Sequence, residues 1–180
     1  VPMSDSPVRT IVETDRGTMS FQEYFVLNRC TPVVSAIHFE GAEEASPPQA
    51  VQECLKDPGF RGTIICPSNP FLSIQPILCV PGLAEQIKSS GKPVVVVWQI
   101  IDGKAIKGPT TRLMKQLGLS CAVRTIAGLY RDIATNIVID RQDDDSVGDI
   151  EALGMKVETA DIMMNSLEDR VRLAGEVCAL

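Results

Sequence analysis

Two short polar segments interrupt the apolar stretches of this chain, and the first holds side chains that could bind a small polar ligand. Pro67-Ser68-Asn69-Pro70 follows the apolar run Thr63–Cys66, and Ser73 comes soon after it. Hydroxyl and amide groups donate and accept hydrogen bonds, while proline fixes the backbone that presents them. The pattern indicates a ligand-binding loop or, alternatively, a stiff turn in which Ser68 caps a helix and Asn69 adopts an unusual backbone conformation.

The second segment is the loop WQIIDGKAIKGPTTR, which runs from Trp98 to Arg112. Gly103 and Gly108 would let backbone N–H groups approach a phosphate, and Lys104 and Lys107 would add positive charge. The spacing matches neither the P-loop nor the dinucleotide-binding fingerprint. The loop is therefore interpreted as a phosphate-binding loop that belongs to neither type. The alternative is a solvated loop whose lysines stay in water.

The elements around these segments predict an α/β fold with a mainly parallel, doubly wound sheet. Short, continuous apolar runs alternate with amphipathic helices, as they do in a parallel sheet that is covered on both faces. The runs are Thr63–Cys66, Pro93–Ile101 and Ile137–Ile139, and the helices cover Gly82–Ser90, Thr110–Leu117 and Leu167–Leu180. Ligands of such sheets bind beyond the carboxyl ends of the strands. Each polar segment follows a predicted strand, so both are expected at that edge.

The N-terminal third of the chain predicts an antiparallel β-hairpin. The turn triplet Asp15-Arg16-Gly17 separates the arms Thr10–Val12 and Thr18–Val26, and such a triplet suits a hairpin. A third strand is expected over Pro32–Phe39, where β-branched residues are frequent, and a helix over Gln49–Asp57, where apolar residues have helical spacing.

Composition restricts both the size and the partners of the protein. The 180 residues are 44% hydrophobic, which is enough for one substantial core, so a single α/β domain over residues 1–180 is predicted. A net charge of −6 argues against nucleic-acid binding, which needs a broad basic face. A small anionic ligand stays compatible with this charge, because a few local donors can hold a phosphate.

No metal site and no membrane segment are expected. The six cysteines form no C-x-x-C pair and His38 is the one histidine, so a zinc site is not predicted. The acidic stretch Asp140–Asp149 lacks the spacing of a calcium loop and is interpreted as a solvated loop. Cysteines in apolar stretches indicate a reducing compartment, and no apolar run reaches the length of a membrane span. A cytoplasmic protein is therefore expected.

Five sequence blocks together resemble a known family. The blocks are PMSDSPVRT, FQEYFV, PSNPFLSIQPILCVPG, AIKGP and LEDRVRLAGEV, in this order along nearly the whole chain. They resemble the 2-phospho-L-lactate transferases of deazaflavin coenzyme F420 biosynthesis. The resemblance implies a Rossmann-like α/β fold and a transferase that uses Mg²⁺. The implied reaction moves a phospholactyl or phosphoenolpyruvyl group from a guanosine diphospho donor to the ribityl hydroxyl of Fo and releases GMP.

The resemblance also implies roles for individual residues. Asp5, in the Met3-Ser4-Asp5 motif that borders the implied cleft together with Pro7, is the expected catalytic carboxylate, because phosphoryl-type transfer depends on charge neutralisation; a turn-forming Asp is the alternative. The expected substrate-binding residues are Ser68, Asn69, Pro70 and Ser73 at the acceptor, and Gly103, Lys104, Lys107 and Gly108 near the donor phosphates.

Some parts of the family pattern are not found in this sequence. Family members open with a strand, a Gly-rich loop and a helix, and an acidic pair associated with metal binding follows. The chain is therefore expected to be the C-terminal part of a larger transferase, with the Mg²⁺ ligands outside it. Relatives often have Ser-Pro where Trp98-Gln99 stands, and Trp98 is expected either to stack on a flat ring or to fill the core.

Two other functional classes stay open on the sequence. One is a regulatory protein of the gluconeogenesis-factor type, which would bind a nucleotide or nucleotide sugar without a reaction. The form Ser68-Asn69-Pro70 favours the transferases over this class. The other is a structural fragment that forms a homodimer through an exposed sheet edge.

Overall fold

The computed structural model describes residues 1–98, 100–101, 104–105 and 109–180. Their contacts group into two compact units. Unit 1 comprises Val1–Phe60, Asn69–Ser90 and Pro109–Ser120, and unit 2 comprises Arg61–Ser68, Gly91–Gly108 and Cys121–Leu180. A single domain over residues 1–180 stays a prediction. None of the helices in the described ranges is long and apolar enough to cross a membrane.

Unit 1 contains the predicted N-terminal hairpin within a three-stranded antiparallel sheet. The strands are β1 (Arg9–Thr14), β2 (Gly17–Ser20) and β3 (Val34–Glu40), in the order β2-β1-β3. The turn between β1 and β2 ends at Gly17, whose φ of +98° suits glycine. The one histidine, His38 on β3, lies 2.8 Å from the Glu13 carboxylate on β1, so the pair crosses the sheet at its surface.

The predicted second arm of the hairpin, Thr18–Val26, is wrong beyond Ser20. The chain leaves the strand there and forms a π-helical turn over Glu23–Leu27. The Glu23 carboxylate accepts hydrogen bonds from the backbone N–H of Ser20 at 2.8 Å and from its hydroxyl at 2.9 Å. These bonds, the backbone one foremost, lower the pKa of Glu23. Ser and Glu at this spacing form a helix-start signal, and it overrides the strand propensity of the following aromatic and aliphatic residues.

Four helices complete unit 1: α1 (Gln49–Lys56), α2 (Gln75–Leu78), α3 (Leu83–Ser89) and α4 (Thr110–Gln116). Polar side chains attach α4 to the β3 region. The Arg112 guanidinium donates to the Thr31 carbonyl at 2.6 Å, and the Gln116 amide oxygen accepts from the Val34 N–H at 3.2 Å. Leu113 and Met114, on the opposite face, are fully buried. The position of α4 within unit 1 is thus fixed on both faces.

Unit 2 contains the predicted parallel sheet. The strands of unit 2 are β4 (Thr63–Ile65), β5 (Val94–Val97), β6 (Ile100–Ile101), β7 (Lys104–Ala105), β8 (Asn136–Asp140) and β9 (Lys156–Ala160). Strands β4, β5, β8 and β9 pair in parallel in the order β4-β5-β8-β9, and β6 and β7 form a separate antiparallel pair. Every residue of β5 and β8 is buried, which explains their continuous apolar sequence. The predicted α/β class with a mainly parallel sheet is confirmed.

The helices of unit 2 are α5 (Val123–Tyr130), α6 (Val147–Glu151) and α7 (Leu167–Cys178). Helix α7 begins at a capping box, in which the Ser166 hydroxyl accepts from the Asp169 N–H at 3.2 Å and the Asp169 carboxylate accepts from the Ser166 N–H at 2.9 Å. The final helix was predicted from Leu167. Helices α5 and α6 and strand β9 were not predicted from the sequence.

The interpretation of Asp140–Asp149 as a solvated loop is wrong. The segment forms a 3-10 helix over Arg141–Ser146 and then α6. Asp140 is 3% exposed, and its carboxylate accepts hydrogen bonds from the N–H groups of Gln142 at 3.0 Å and Ile162 at 3.2 Å. A buried carboxylate needs such partners. Asp140 therefore ties the end of β8 to the segment after β9.

Gly41 at the end of β3 provides a test of this fold. Its φ is +79°, and a Cβ atom there would lie 2.5 Å from the Pro7 carbonyl oxygen, whereas a Cβ at Gly17 would meet nothing within 4 Å. Gly17→Ala should cost about 1–2 kcal/mol of stability through left-handed backbone strain alone. Gly41→Ala should cost more, because the clash adds to the same strain. Urea unfolding of both variants measures this; equal losses would contradict the close approach of Pro7.

Candidate functional site

Asn69 organises the proline-bounded loop of unit 1. Its side-chain oxygen accepts hydrogen bonds from the backbone N–H groups of Phe71 and Leu72, both at 3.0 Å. Asn69 is thereby the N-cap of a π-helical turn over Pro70–Ile74, with an extended backbone (φ −62°, ψ 120°). The following proline suits this place, because the first helical residue needs no N–H donor. The capping residue is thus Asn69, not Ser68 as the turn interpretation had it, and its backbone is not unusual.

The nitrogen of the same amide makes a long-range contact. Asn69 Nδ2 donates to the hydroxyl of Thr110 at 3.1 Å. Thr110 is the first residue of α4 and is 1% exposed. Because two backbone N–H groups fix the oxygen and a hydroxyl binds the nitrogen, the amide is held in one orientation. Asn69 was predicted as a site residue from the sequence, whereas Thr110 carries no motif signal and was missed.

The remaining residues of the predicted acceptor loop differ in exposure. Ser73 is exposed on the π-helical turn and Ser68 is half-buried, so both hydroxyls are accessible to a ligand. Pro70 is buried and contributes packing. The backbone carbonyl of Asn69 accepts from the Ser73 N–H at 3.0 Å, which places Ser73 on the first turn beyond the cap. Ser68 is assigned to unit 2, and the chain enters unit 1 at Asn69.

The predicted phosphate loop is described only in part. Gly103, Lys107 and Gly108 lie outside the described residues. Lys104 begins β7, whose backbone pairs with β6 between Lys104 and Ile101. The role of these four residues at a donor phosphate stays a prediction.

The predicted catalytic carboxylate, Asp5, lies in a turn at the start of unit 1. The Ser4 hydroxyl accepts from the Ser6 N–H at 3.0 Å, which forms the turn, and Ser4 is buried. Asp5 is exposed, and its carboxylate makes no hydrogen bond or ion pair within the described ranges. The turn thus presents Asp5 to solvent, where a carboxylate can bind a cation or accept a proton.

A metal site is not assembled by the described residues. Among them no three His, Cys, Asp or Glu side chains lie close enough together to hold a metal ion. Asp5 is therefore not part of such a group. The residues described here do not fit a complete Mg²⁺ site.

Unit 2 places two further polar side chains at the carboxyl edge of its parallel sheet. Trp98 follows β5 and donates its backbone N–H to the Val138 carbonyl at 2.9 Å. Its ring is 2% exposed and its indole N–H has no acceptor in the described part of the chain. Of the two expectations for Trp98, core packing is therefore confirmed. Asp140, at the end of the neighbouring strand β8, was missed as a functional candidate because it opens the acidic stretch.

The π-helical turn of the FQEYFV block carries a buried phenol. Tyr24 is 0% exposed, and its hydroxyl has no hydrogen-bond partner of good geometry among the described residues. Burial raises the pKa of Tyr24 to about 12, and the Cys30 thiol adds a smaller increase. The positive charge of Arg112 lowers this pKa slightly. Burial likewise raises the pKa of Cys30. Both groups are therefore protonated at neutral pH and are unsuited to act as nucleophiles or bases.

Two surface depressions lie away from the predicted loops. One, of about 590 Å³, is in unit 1 beside the end of β3 and is lined by Glu40, Glu43 and Glu44, which would repel a phosphate. The other, of about 550 Å³, is in unit 2 and is lined by Arg61, Pro93 and the end of α7. It lies at the amino ends of β4 and β5, opposite to the edge where parallel sheets bind ligands. Neither is favoured as the substrate site.

Comparison with known sequences decides the family. A profile of the family described as 2-phospho-L-lactate transferase CofD matches residues 1–171. The chain belongs to this family. A 2-phospho-L-lactate transferase of Methanopyrus kandleri is 38% identical over 98% of this chain and 55% of that protein. One of Methanococcoides burtonii is 36% identical over 100% of this chain and 58% of that protein.

A further relative has a different name. A phosphoenolpyruvate transferase of Streptomyces coelicolor is 30% identical over 100% of this chain and 57% of that protein. The chain thus spans little more than half the length of these relatives. The predicted resemblance to 2-phospho-L-lactate transferases is confirmed.

Solved structures support the fold. A crystal structure of a Bacillus halodurans protein superimposes with a TM-score of 0.61 at 14% identity, over 99% of this chain and 61% of that one. A second crystal structure of the same protein, described as a member of the UPF0052 family, gives a TM-score of 0.60 at 16% identity, over 97% of this chain and 60% of that one. At these identities the likeness concerns the fold alone.

The buried phenol predicts a stability change at high pH. The unfolded tyrosine ionises near pH 10, whereas the pKa of Tyr24 in the fold is about 12. The folded state keeps its proton in this window while the unfolded state loses it, so stability is full below pH 10 and falls as the pH rises to 12. At pH 11, one unit above the unfolded pKa, Tyr24→Phe should remove about 1 kcal/mol of this loss, since one pKa unit corresponds to about 1.4 kcal/mol.

Urea unfolding of wild type and Tyr24→Phe at pH 7 and pH 11 measures the effect. At pH 7 the two should be nearly equal, because the hydroxyl has no well-formed hydrogen bond to lose. If Tyr24→Phe loses as much unfolding free energy between pH 7 and pH 11 as the wild type does, this result would contradict the burial of the phenol.

Proposed function

We propose that this chain supplies substrate-binding residues of a transferase that makes the deazaflavin coenzyme F420. The transferase moves a phospholactyl or phosphoenolpyruvyl group from a guanosine diphospho donor to the terminal ribityl hydroxyl of Fo and releases GMP. The observation that carries the proposal is similarity along 98% of the chain to a protein named 2-phospho-L-lactate transferase, at 38% identity. The Streptomyces relative named phosphoenolpyruvate transferase supports the second form of the donor.

The proposed reaction is a substitution at phosphorus. The ribityl oxygen forms a bond to the phosphorus that carries the lactyl or enolpyruvyl group, and the bond from this phosphorus to the GMP oxygen breaks. The hydroxyl proton must leave the attacking oxygen. Asp5 is the proposed acceptor of this proton, because its carboxylate is exposed and has no partner among the described side chains.

The two loops have separate proposed tasks. The hydroxyls of Ser68 and Ser73 are proposed to bind the acceptor, and Asn69 and Pro70 to hold that loop in shape. At the donor, backbone N–H groups at glycines and the positive charges of lysines are proposed to stabilise the phosphate oxygens together. The residues proposed there are Gly103, Lys104, Lys107 and Gly108.

Mg²⁺ is proposed as the metal of the whole enzyme, with most of its ligands outside the described residues. In enzymes of this chemistry the ion neutralises phosphate charge. The six free cysteines support a reducing, cytoplasmic location. A homodimer stays a prediction. The regulatory alternative is not favoured, because the relatives named above are transferases.

The direct test supplies the complete natural protein with Fo and each guanosine diphospho donor in the presence of Mg²⁺. Mass spectrometry should show the phosphodiester product and GMP in equal amounts. Release of GMP without Fo, or binding of the donor without any product, would contradict the transferase.

Removing the Asp5 charge tests the proposed proton acceptor. Asp5→Asn should lower kcat at least about tenfold, because an uncharged amide accepts a proton poorly. Glu43→Gln is the matched control, since Glu43 is also an exposed acid of unit 1. Both variants should unfold at the wild-type temperature. Equal kcat for Asp5→Asn and the control would remove Asp5 from the mechanism.

A further inference from the structure

One hydrogen bond of unit 1 connects chain positions beside both proposed binding loops. Asn69, which donates to the Thr110 hydroxyl at 3.1 Å, directly follows Ser68. Thr110 stands just after Gly108 and Pro109 in the chain. The two bonded residues are 41 positions apart, so the contact depends on the folded unit. Within unit 1, the bond therefore ties the residue that follows Ser68 to the first residue of α4.

Both partners of this bond are themselves held in place. The cap bonds of the Asn69 oxygen to Phe71 and Leu72 leave its amide nitrogen pointing in one direction. Thr110 begins α4, which bonds to the β3 region through Arg112 and Gln116. A hydrogen bond between two fixed groups transmits position, because neither partner can move without breaking other bonds.

We propose that Thr110 is a positioning residue of the transferase. At 1% exposure its side chain does not contact a ligand, and it acts through the Asn69 amide on the loop that presents Ser68. The inference rests on the proposed function and assigns a role to a residue outside the motifs that carry the family resemblance. The hydroxyl, rather than the volume of the side chain, is the group that performs this role.

The distinction between hydroxyl and volume determines the variants. Thr110→Val keeps the branched shape and removes the oxygen, which leaves an Asn69 N–H without this acceptor. Thr110→Ser keeps the oxygen and removes a methyl group. Thr135→Val is the control in unit 2, where the Thr135 hydroxyl accepts from the Val94 N–H at 2.9 Å. It too loses a threonine hydroxyl that binds a segment 41 positions away, but this bond lies within unit 2.

Steady-state kinetics of the complete natural protein test the proposal. Thr110→Val should lower kcat about ten- to a hundredfold, since small misplacements of reacting groups have effects of this size. KM for Fo and for the donor should stay within about threefold, because the lost interaction acts on the reacting geometry. Thr110→Ser should restore most of kcat, and Thr135→Val should keep it.

Each other outcome overturns the proposal. If Thr110→Val retains the wild-type kcat, the bond does not position the reaction, although the transferase itself stands. If Thr110→Ser is as slow as Thr110→Val, volume and not the hydroxyl matters. If Thr135→Val loses kcat to the same extent, the effect is general destabilisation. A wild-type protein without transfer activity overturns both this inference and the proposed function.

Discussion

The orientation of one amide is the constraint on which the candidate site depends. Asn69 caps a π-helical turn with its oxygen and reaches Thr110 with its nitrogen. An asparagine can do both, because its amide combines an acceptor and two donors on one short side chain. Aspartate would lack the donors and serine would lack the reach. The proline that follows removes an N–H group that the cap would otherwise have to satisfy, so the Asn-Pro pair has a local physical reason.

The sheet of unit 2 supplies the second constraint, since it sets where loops leave the strands. Its central strands β5 and β8 are buried throughout, and the polar residues within them are Asn136 and Asp140, at the two ends of β8. Asp140 is satisfied by backbone N–H groups and so stabilises the edge. Ser68 follows β4 and remains half-buried. This division between satisfied and available polar groups agrees with a ligand-binding edge in a parallel sheet.

Sequence reasoning succeeded where the signal was local. The buried strands β5 and β8 followed from continuous apolar runs, and the start of α7 agrees with the capping box at Ser166. It failed where distant contacts decide. The acidic stretch after β8 folds because Asp140 bonds to Ile162, 22 positions away. The end of the predicted arm Thr18–Val26 at Ser20 instead has a local cause, the Ser20–Glu23 hydrogen bonds, which the strand propensity of the following residues concealed. The partner of Asn69 is 41 positions away, and no spacing rule connects the two.

Amide hydrogen exchange at Phe71 and Leu72, followed by NMR, tests the central claim most directly. If the Asn69 oxygen caps these N–H groups, both exchange slowly in the wild type and faster in Asn69→Ala, by about tenfold for each 1.4 kcal/mol of lost protection. Ser68→Ala, which leaves the cap intact, should exchange like the wild type. Exchange at Phe71 and Leu72 that is unchanged in Asn69→Ala would contradict the account, because the loop would then keep its shape without the amide.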